Sequence, residues 1–305
     1  MIDEPGAEAG LPAGAETPGD ARVAVGTSGY SFDDWIGNFY PLRTRKGDML
    51  KEYSKHFSTV EVNSTYYRIP GAAMMGRMVE KTPAGFEFII KANQEMTHKA
   101  SKDAALYEAF REALRPVIEA GKMRGVIAQF PWGFKPTAEA WEHLPFLRGK
   151  FDEIGEVDLA AGKPGERGRC PLFVELRNAD WIGEGLFERL EAQGIGYCSV
   201  DEPRLRGLVP PLARVTNGLG YVRLHGRNAK NWWGHGEVGA GGTVARGGGD
   251  RYDYLYSEAE LKEWVARIKT MVQAARKTYV FFNNCHAGQA ARNATLMKEL
   301  LSLAL

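Results

Sequence analysis

The side chains of this sequence that could do chemistry fall at a recurring position. Glu61, Glu175 and Asp201 are carboxylates; Lys91, Arg177 and Arg223 are cations; Asn63, Gln129, Asn283 and Asn284 are amides. His98, His225 and Tyr66 complete the set. Nearly all lie in or just after a short apolar run: VEVN, FEFIIK, GVIAQ, LFVELR, YCSVD, YVRLH and TYVFFNN. A charge taken out of water must be paired or neutralised, so such groups at the ends of buried segments need one another or a ligand. Lys91, Arg177 and Arg223 suit a phosphate or carboxylate, which arginine grips bidentately. Asn63, Tyr66, Gln129, His98, His225, Asn283 and Asn284 would orient it. Glu61 and Glu175, with Asp201 as a third candidate, suit acid–base work of the kind that cleaves glycosidic bonds between two carboxyls. The alternative is an internal salt-bridge network that binds nothing.

Other chemistries find less support. His98, His225, His286, Glu61, Glu175 and Asp201 are all metal-ligand types. No H-x-H or H-E-x-x-H spacing gathers them, and the lysine and arginines nearby oppose a cation, so neither a metal nor another cofactor is expected. Cys170, Cys198 and Cys285 form no C-x-x-C pair and read as reduced thiols. Cys285, between Asn284 and His286, is a nucleophile by residue type alone. The turn after the first apolar run, GTSGY, lacks the third glycine of a dinucleotide fingerprint, and no P-loop occurs.

The elements that must position these groups are eight apolar runs of four to six residues, beginning with RVAV before Thr27 and Ser28. Runs rich in Val, Ile, Phe and Tyr suit strands buried on both faces. Helical stretches separate them. Residues 47–57 and 103–120 carry apolar positions at helical spacing, with Pro116 expected to kink or divide the second. Residues 184–193 stop at Gly194, 257–275 open on a Ser257–Glu260 capping box, and 288–304 close the chain. Alternating strand and helix predicts a single (β/α)8 TIM-like barrel over residues 21–305, its polar strand ends on one rim. A doubly wound sheet is the alternative.

Two segments break the rhythm. Residues 152–169 are expected as an insertion on the opposite rim. Residues 226–250, rich in glycine and carrying Arg227, Lys230, Trp232 and Trp233, are either a lid over the polar rim or an excursion whose indoles cover the barrel end. Tyr66 and Tyr67 are open to stacking on a ligand or to packing. Residues 1–20 read as a disordered tail, without the basic start or apolar core of a secretory signal. The 305 residues are 44% hydrophobic and 25% charged, with a net charge of +1. That balance is globular and carries no strong overall field for nucleic acid or membrane. A cytoplasmic location, no membrane contact and an open oligomeric state are the expectation.

Finally, GTSGYSFDDWIGNFYP (26–41), VEVNSTYYRIP (60–70), FEFIIKANQEMTH (86–98), VELRNADW (174–181), YVRLHGR (221–227) and YVFFNNCHAGQAARNA (279–294) resemble, in order, the motifs of the YecE-like family, domain of unknown function 72. The resemblance covers about residues 22–305 and implies a TIM-like barrel. An analogy between such barrels and endonuclease IV would imply nucleic-acid or phosphate binding, and metal-dependent phosphoester hydrolysis as one activity. The leading expectation is an enzyme binding a small anionic substrate at the C-terminal rim. A non-catalytic nucleic-acid-binding module and a metal-dependent phosphoesterase are the alternatives.

Overall fold

The computed structural model describes residues 22–158, 160, 166–183, 185–233 and 250–305. The expected tail (1–20) and much of the glycine-rich loop (234–249) lie outside them. Eight strand positions make the barrel: β1 (Val23–Thr27), β2 (Thr59–Val62), β3 (Glu87–Lys91), β4 (Met123–Gln129), β5 (Leu172–Glu175), β6 (Ile195–Tyr197 and Ser199–Asp201, interrupted at Cys198), β7 (Leu219–Leu224) and β8 (Lys277–Phe282). All pair in parallel: β2 to β3, β3 to β4, β4 to β5, β5 to β6, β6 to β7, β7 to β8, and β8 back to β1. A parallel bridge between Ser28 and Glu61 joins β1 to β2 and closes the ring. The barrel read from the sequence is therefore the fold, and the doubly wound sheet is not.

Successive side chains on a strand point to opposite faces, so each strand serves two cores. Ile89, Ile127, Phe173, Val200, Tyr221 and Phe281 form one cluster, the lumen. Their neighbours Ile90, Val126, Val174, Val222 and Val280 join a second cluster with helix residues such as Leu114, Leu144, Trp264 and Met297. The same parity carries inward residues from the lumen to the C-terminal mouth: Ile89 leads to Lys91, Ile127 to Gln129, Phe173 to Glu175 and Arg177, Tyr221 to Arg223 and His225.

The helices follow their signals. Ser257 and Glu260 make the reciprocal capping box ahead of Glu258–Ala274, and Gly194 ends Leu186–Gln193 in the left-handed conformation. The final helix is Gln289–Ala304. Pro116 does not divide its helix, which runs unbroken from Ala104 to Glu119. The expected 47–57 helix shortens to Met49–Tyr53. Helices at Ala72–Glu80 and Ala138–Asp152 add to those read from the sequence. Residues 152–169 hold an antiparallel pair, Glu156–Asp158 with Arg167–Arg169, and Asp158 lies against Gly121 ahead of β4, on the rim away from the mouth.

Gly226, immediately after His225, adopts φ +93°, and a Cβ there would lie 2.7 Å from the Cβ of Tyr254. Its N–H donates to the Tyr256 hydroxyl at 2.8 Å. Gly226→Ala is expected to cost about 1–3 kcal/mol through strain and displacement of Tyr254. A urea midpoint equal to the parent's would show that the turn relaxes without cost.

Candidate functional site

Arg223 enters the mouth from β7 and is completely buried. Its Nη2 donates to Glu61 Oε1 at 2.7 Å, and its Nη1 donates to Glu175 Oε2 and to Gln129 Oε1, the latter at 3.0 Å. Glu61 and Glu175 therefore lie on the same guanidinium. The other oxygen of Glu61 accepts from the Tyr221 hydroxyl at 2.6 Å. Glu175 Oε1 accepts from Arg177 Nε at 2.8 Å and lies 3.3 Å from His225 Nε2. Burial alone would push the Glu175 carboxyl up, but Arg223, His225 and Arg177 outweigh it and hold it well below the usual range. A carboxyl so held stays ionised and makes a poor proton donor.

His225 is buried and its charged form is disfavoured: burial, the leading cause, takes its pKa down to about 3 despite Glu175. Its Nδ1 lies 3.0 Å from Asn283 Nδ2, and its Nε2 lies between Glu175 Oε1 at 3.3 Å and Arg177 Nη2 at 3.4 Å. Lys91 is half-buried at the end of β3. Its Nζ donates to Gln129 Oε1 at 2.8 Å and lies 4.3 Å from the centre of the Tyr66 ring. Burial and then the charge of Arg223 lower its pKa to about 7. His98 meets the edge of Tyr66, with ring centres 5.2 Å apart, and burial followed by Lys91 and Arg177 lowers it to about 4.

Above this floor is a cavity of about 190 Å³, lined among others by His98, Gln129, Arg177, Trp132, Trp232 and Trp233. Leu208 and Arg251 also border it. Trp132 and Trp233 are 40% and 49% exposed and meet edge to face, so indole surface is open to a ligand. Trp132 is fixed by its Nε1–H, which donates to the Gly207 carbonyl at 2.9 Å, while Asn178 Nδ2 donates to the Trp132 carbonyl at 3.0 Å.

Eleven of the thirteen residues read from the sequence thus gather at or beside the mouth: Glu61, Glu175, Tyr66, Lys91, His98, Gln129, Arg177, Arg223, His225 and Asn283 by their contacts, and Asn63 by its place after β2. The Asn63 Oδ1 is buried without a hydrogen-bond partner. Two depart in place, and Arg223 departs in role. Asp201 points outward: Arg227 grips it with two hydrogen bonds of 2.8 Å, and Tyr256 and Trp264 also donate to it. Asn284 also turns away, donating to the Tyr254 carbonyl and to Asn293 Oδ1 at 2.8 and 2.9 Å. Arg223, though central, is enclosed by the carboxylates and Gln129 rather than facing the cavity. Among the described residues no three of His, Cys, Asp and Glu converge as metal ligands. The closest histidine–carboxylate pair, His225 and Glu175, has the Arg177 guanidinium 3.4 Å from the imidazole and does not fit a cation.

The model of the DUF72 family, "Protein of unknown function DUF72", matches residues 24–305. The chain belongs to this family. YunF of Bacillus subtilis, a UPF0759 protein, is 30% identical over 293 residues, covering 92% of this chain and 95% of that protein. YecE of Escherichia coli K12 is 30% identical over 112 residues, covering 35% and 40%. A solved DUF72 structure from Thermotoga maritima is 36% identical with a TM-score of 0.77, covering 92% of this chain and 98% of its own. One from Enterococcus faecalis is 26% identical with a TM-score of 0.74, covering 92% and 95%.

In this DUF72 chain the residues that sequence reasoning missed are Tyr221, Trp132, Arg251 and Glu202. The strand parity that places Val200 in the lumen also turns Glu202 inward, and that alternation was the available signal. Glu202 is 1% exposed, and no side chain donates a hydrogen bond to its carboxylate oxygens. Burial pushes it up to about 8, so it is largely protonated at neutral pH.

Arg223→Met leaves two buried carboxylates facing one another and is expected to cost about 3–5 kcal/mol. Adding Glu61→Gln and Glu175→Gln is expected to recover much of that loss; urea unfolding of the single and triple variants measures both. Acid supplies another check. Below its ordinary value near 6.5 the unfolded chain protonates His225, whereas the folded chain refuses the proton until about pH 3. Stability therefore falls with pH through that window, and His225→Gln is expected to flatten the fall.

Proposed function

We propose that the mouth of the barrel is the binding site of an enzyme acting on a small anion that also carries a flat, ring-like or unsaturated part. The charge balance of the floor carries this reading. Lys91, Arg177 and Arg223 set three formal positive charges against two formal negative ones on Glu61 and Glu175, leaving one in excess. Glu202 is largely protonated and does not offset it, and Arg251 adds a further cation to the wall. Burial, and then the charge of Arg223, lower the pKa of Lys91 within this excess. An anion offsets the excess, drawing on Lys91 and Arg177, with His98, Gln129 and Asn63 orienting it and the indoles of Trp132 and Trp233 against its flat part. Glu61 and Glu175 then serve as counterions that hold the arginines in place, and Glu202 is the carboxyl with a proton to give.

The exposed indoles beside cations also favour a second reading, in which the anion is a phosphate of a nucleic acid and a base stacks on Trp132 or Trp233. Binding to a single-stranded oligonucleotide that weakens steeply with salt would distinguish it. Three free thiols, Cys170, Cys198 and Cys285, support a reducing, cytoplasmic setting for the protein. No helix among the described residues is long and apolar enough to cross a membrane.

Phenyl phosphate and inorganic phosphate test the site. Both are expected to raise the thermal midpoint, with phenyl phosphate also quenching tryptophan fluorescence. Trp132→Ala is expected to weaken phenyl phosphate by roughly tenfold, in line with about 1–3 kcal/mol per stacked ring, and to leave inorganic phosphate nearly unchanged. An anion raises the pKa of Lys91, so binding between about pH 7 and the ordinary value of 10.5 is expected to take up protons. Calorimetry in buffers of different ionisation enthalpy measures that uptake, and Lys91→Met removes it. Equal anion stabilisation in the parent, Lys91→Met and Arg177→Gln would sink the reading.

A further inference from the structure

We infer that Lys91 is a covalent nucleophile, forming an imine with a carbonyl compound that carries an anionic group. The inference rests on the anion-binding reading and adds a substrate class to it. It starts from Gln129, whose single amide oxygen accepts from Lys91 Nζ at 2.8 Å and from Arg223 Nη1 at 3.0 Å. Two formally cationic groups therefore share one neutral acceptor. The guanidinium is effectively always charged, so the lysine is the partner that relieves the crowding by losing its proton. Glu61 and Glu175, which would otherwise keep Lys91 charged, are already engaged by Arg223, Tyr221 and Arg177. The remaining neighbours are the Tyr66 ring, and beyond it His98, which lines the cavity. Neither supplies a negative charge. A lysine next to other cations in a desolvated site is a recognised route to an amine that is neutral and nucleophilic near pH 7, and the lowered pKa of Lys91 agrees with it.

The step balances without a further reagent. The Nζ lone pair attacks the carbonyl carbon, and the oxygen takes up a proton as the nitrogen gives one up, leaving a carbinolamine. Loss of water, carrying the former carbonyl oxygen, gives the imine. The substrate's anionic group remains with Arg177 and offsets the positive charge of the protonated imine.

Glyoxylate, an anionic aldehyde, with cyanoborohydride as trap tests this on the unaltered protein. Peptide mapping by mass spectrometry is expected to find Lys91 carboxymethylated at least roughly tenfold faster than any other lysine at pH 7.5, since ordinary lysines near 10.4 are almost wholly protonated there. At glyoxylate concentrations well below saturation, where the rate follows the ligand-free amine, the Lys91 rate is expected to rise to a plateau just above pH 7, while surface lysines continue to accelerate toward pH 10. Oxalate, which carries the charge but no aldehyde, is expected to slow Lys91 and leave the others unaffected. Labelling spread over the lysines according to exposure overturns the imine. If oxalate still raises the thermal midpoint in that case, the anion site stands and only the covalent step falls. If it does not, both fall.

Discussion

Arg223 has no water to turn to. Completely buried in the mouth of the barrel, its guanidinium must find its partners among side chains, and it finds them in Glu61, Glu175 and Gln129. Those partners are committed in turn: Glu61 to Tyr221, Glu175 to Arg177 and His225, Gln129 to Lys91. Glu61, Tyr221, Glu175, Arg177, His225, Gln129 and Lys91 are thus oriented by a chain of contacts that leads back to one cation. Such a lattice is a poor source of net stability, because desolvation offsets most of the Coulombic gain. Its return is position: long, flexible side chains from β2, β3, β4, β5 and β7 converge with little freedom to move.

The strands make this convergence a consequence of alternation. Once Ile89, Ile127, Phe173, Tyr221 and Phe281 fill the lumen, the residues two places on must emerge at the mouth. Packing of the apolar layer therefore fixes the register of the polar layer above it. The outward residues at the same strand ends meet helices instead. Asp201 is the clearest case, tied down by Arg227, Tyr256 and by Trp264 from the helix Glu258–Ala274.

This explains what could be read from the chain and what could not. The eight strands and most helices were legible, because buried strands are short apolar runs and caps such as Ser257–Glu260 are local. The gathering of Glu61, Lys91, Gln129, Glu175, Arg177 and Arg223 was legible too, since polar residues ending apolar runs all emerge at one end of a parallel barrel. Alternation alone separates Asp201 from Glu202, sending only Glu202 inward, and it separates Asn284 from Asn283 in the same way. Tyr221 was hidden as an ordinary aromatic inside YVRL; only its cross-barrel partner, 160 residues away, makes it polar in role. Trp132 was hidden because its place depends on Gly207, which reaches it from another loop. The glycine-rich stretch 234–249 keeps its question of lid or excursion, lying outside the described residues.

The walls and the floor of the cavity come from different parts of the chain. Gln129 ends a strand and Arg177 follows one, both bound into the lattice that also holds Lys91, whereas Trp132, Leu208, Trp232 and Trp233 belong to connecting loops. Loops accept exchange of sequence far more readily than a packed lumen. Recognition and reactivity are therefore separable in this scaffold: grafted loops could retune which molecule is admitted while the amine beneath, and the charges that govern it, stay as they are.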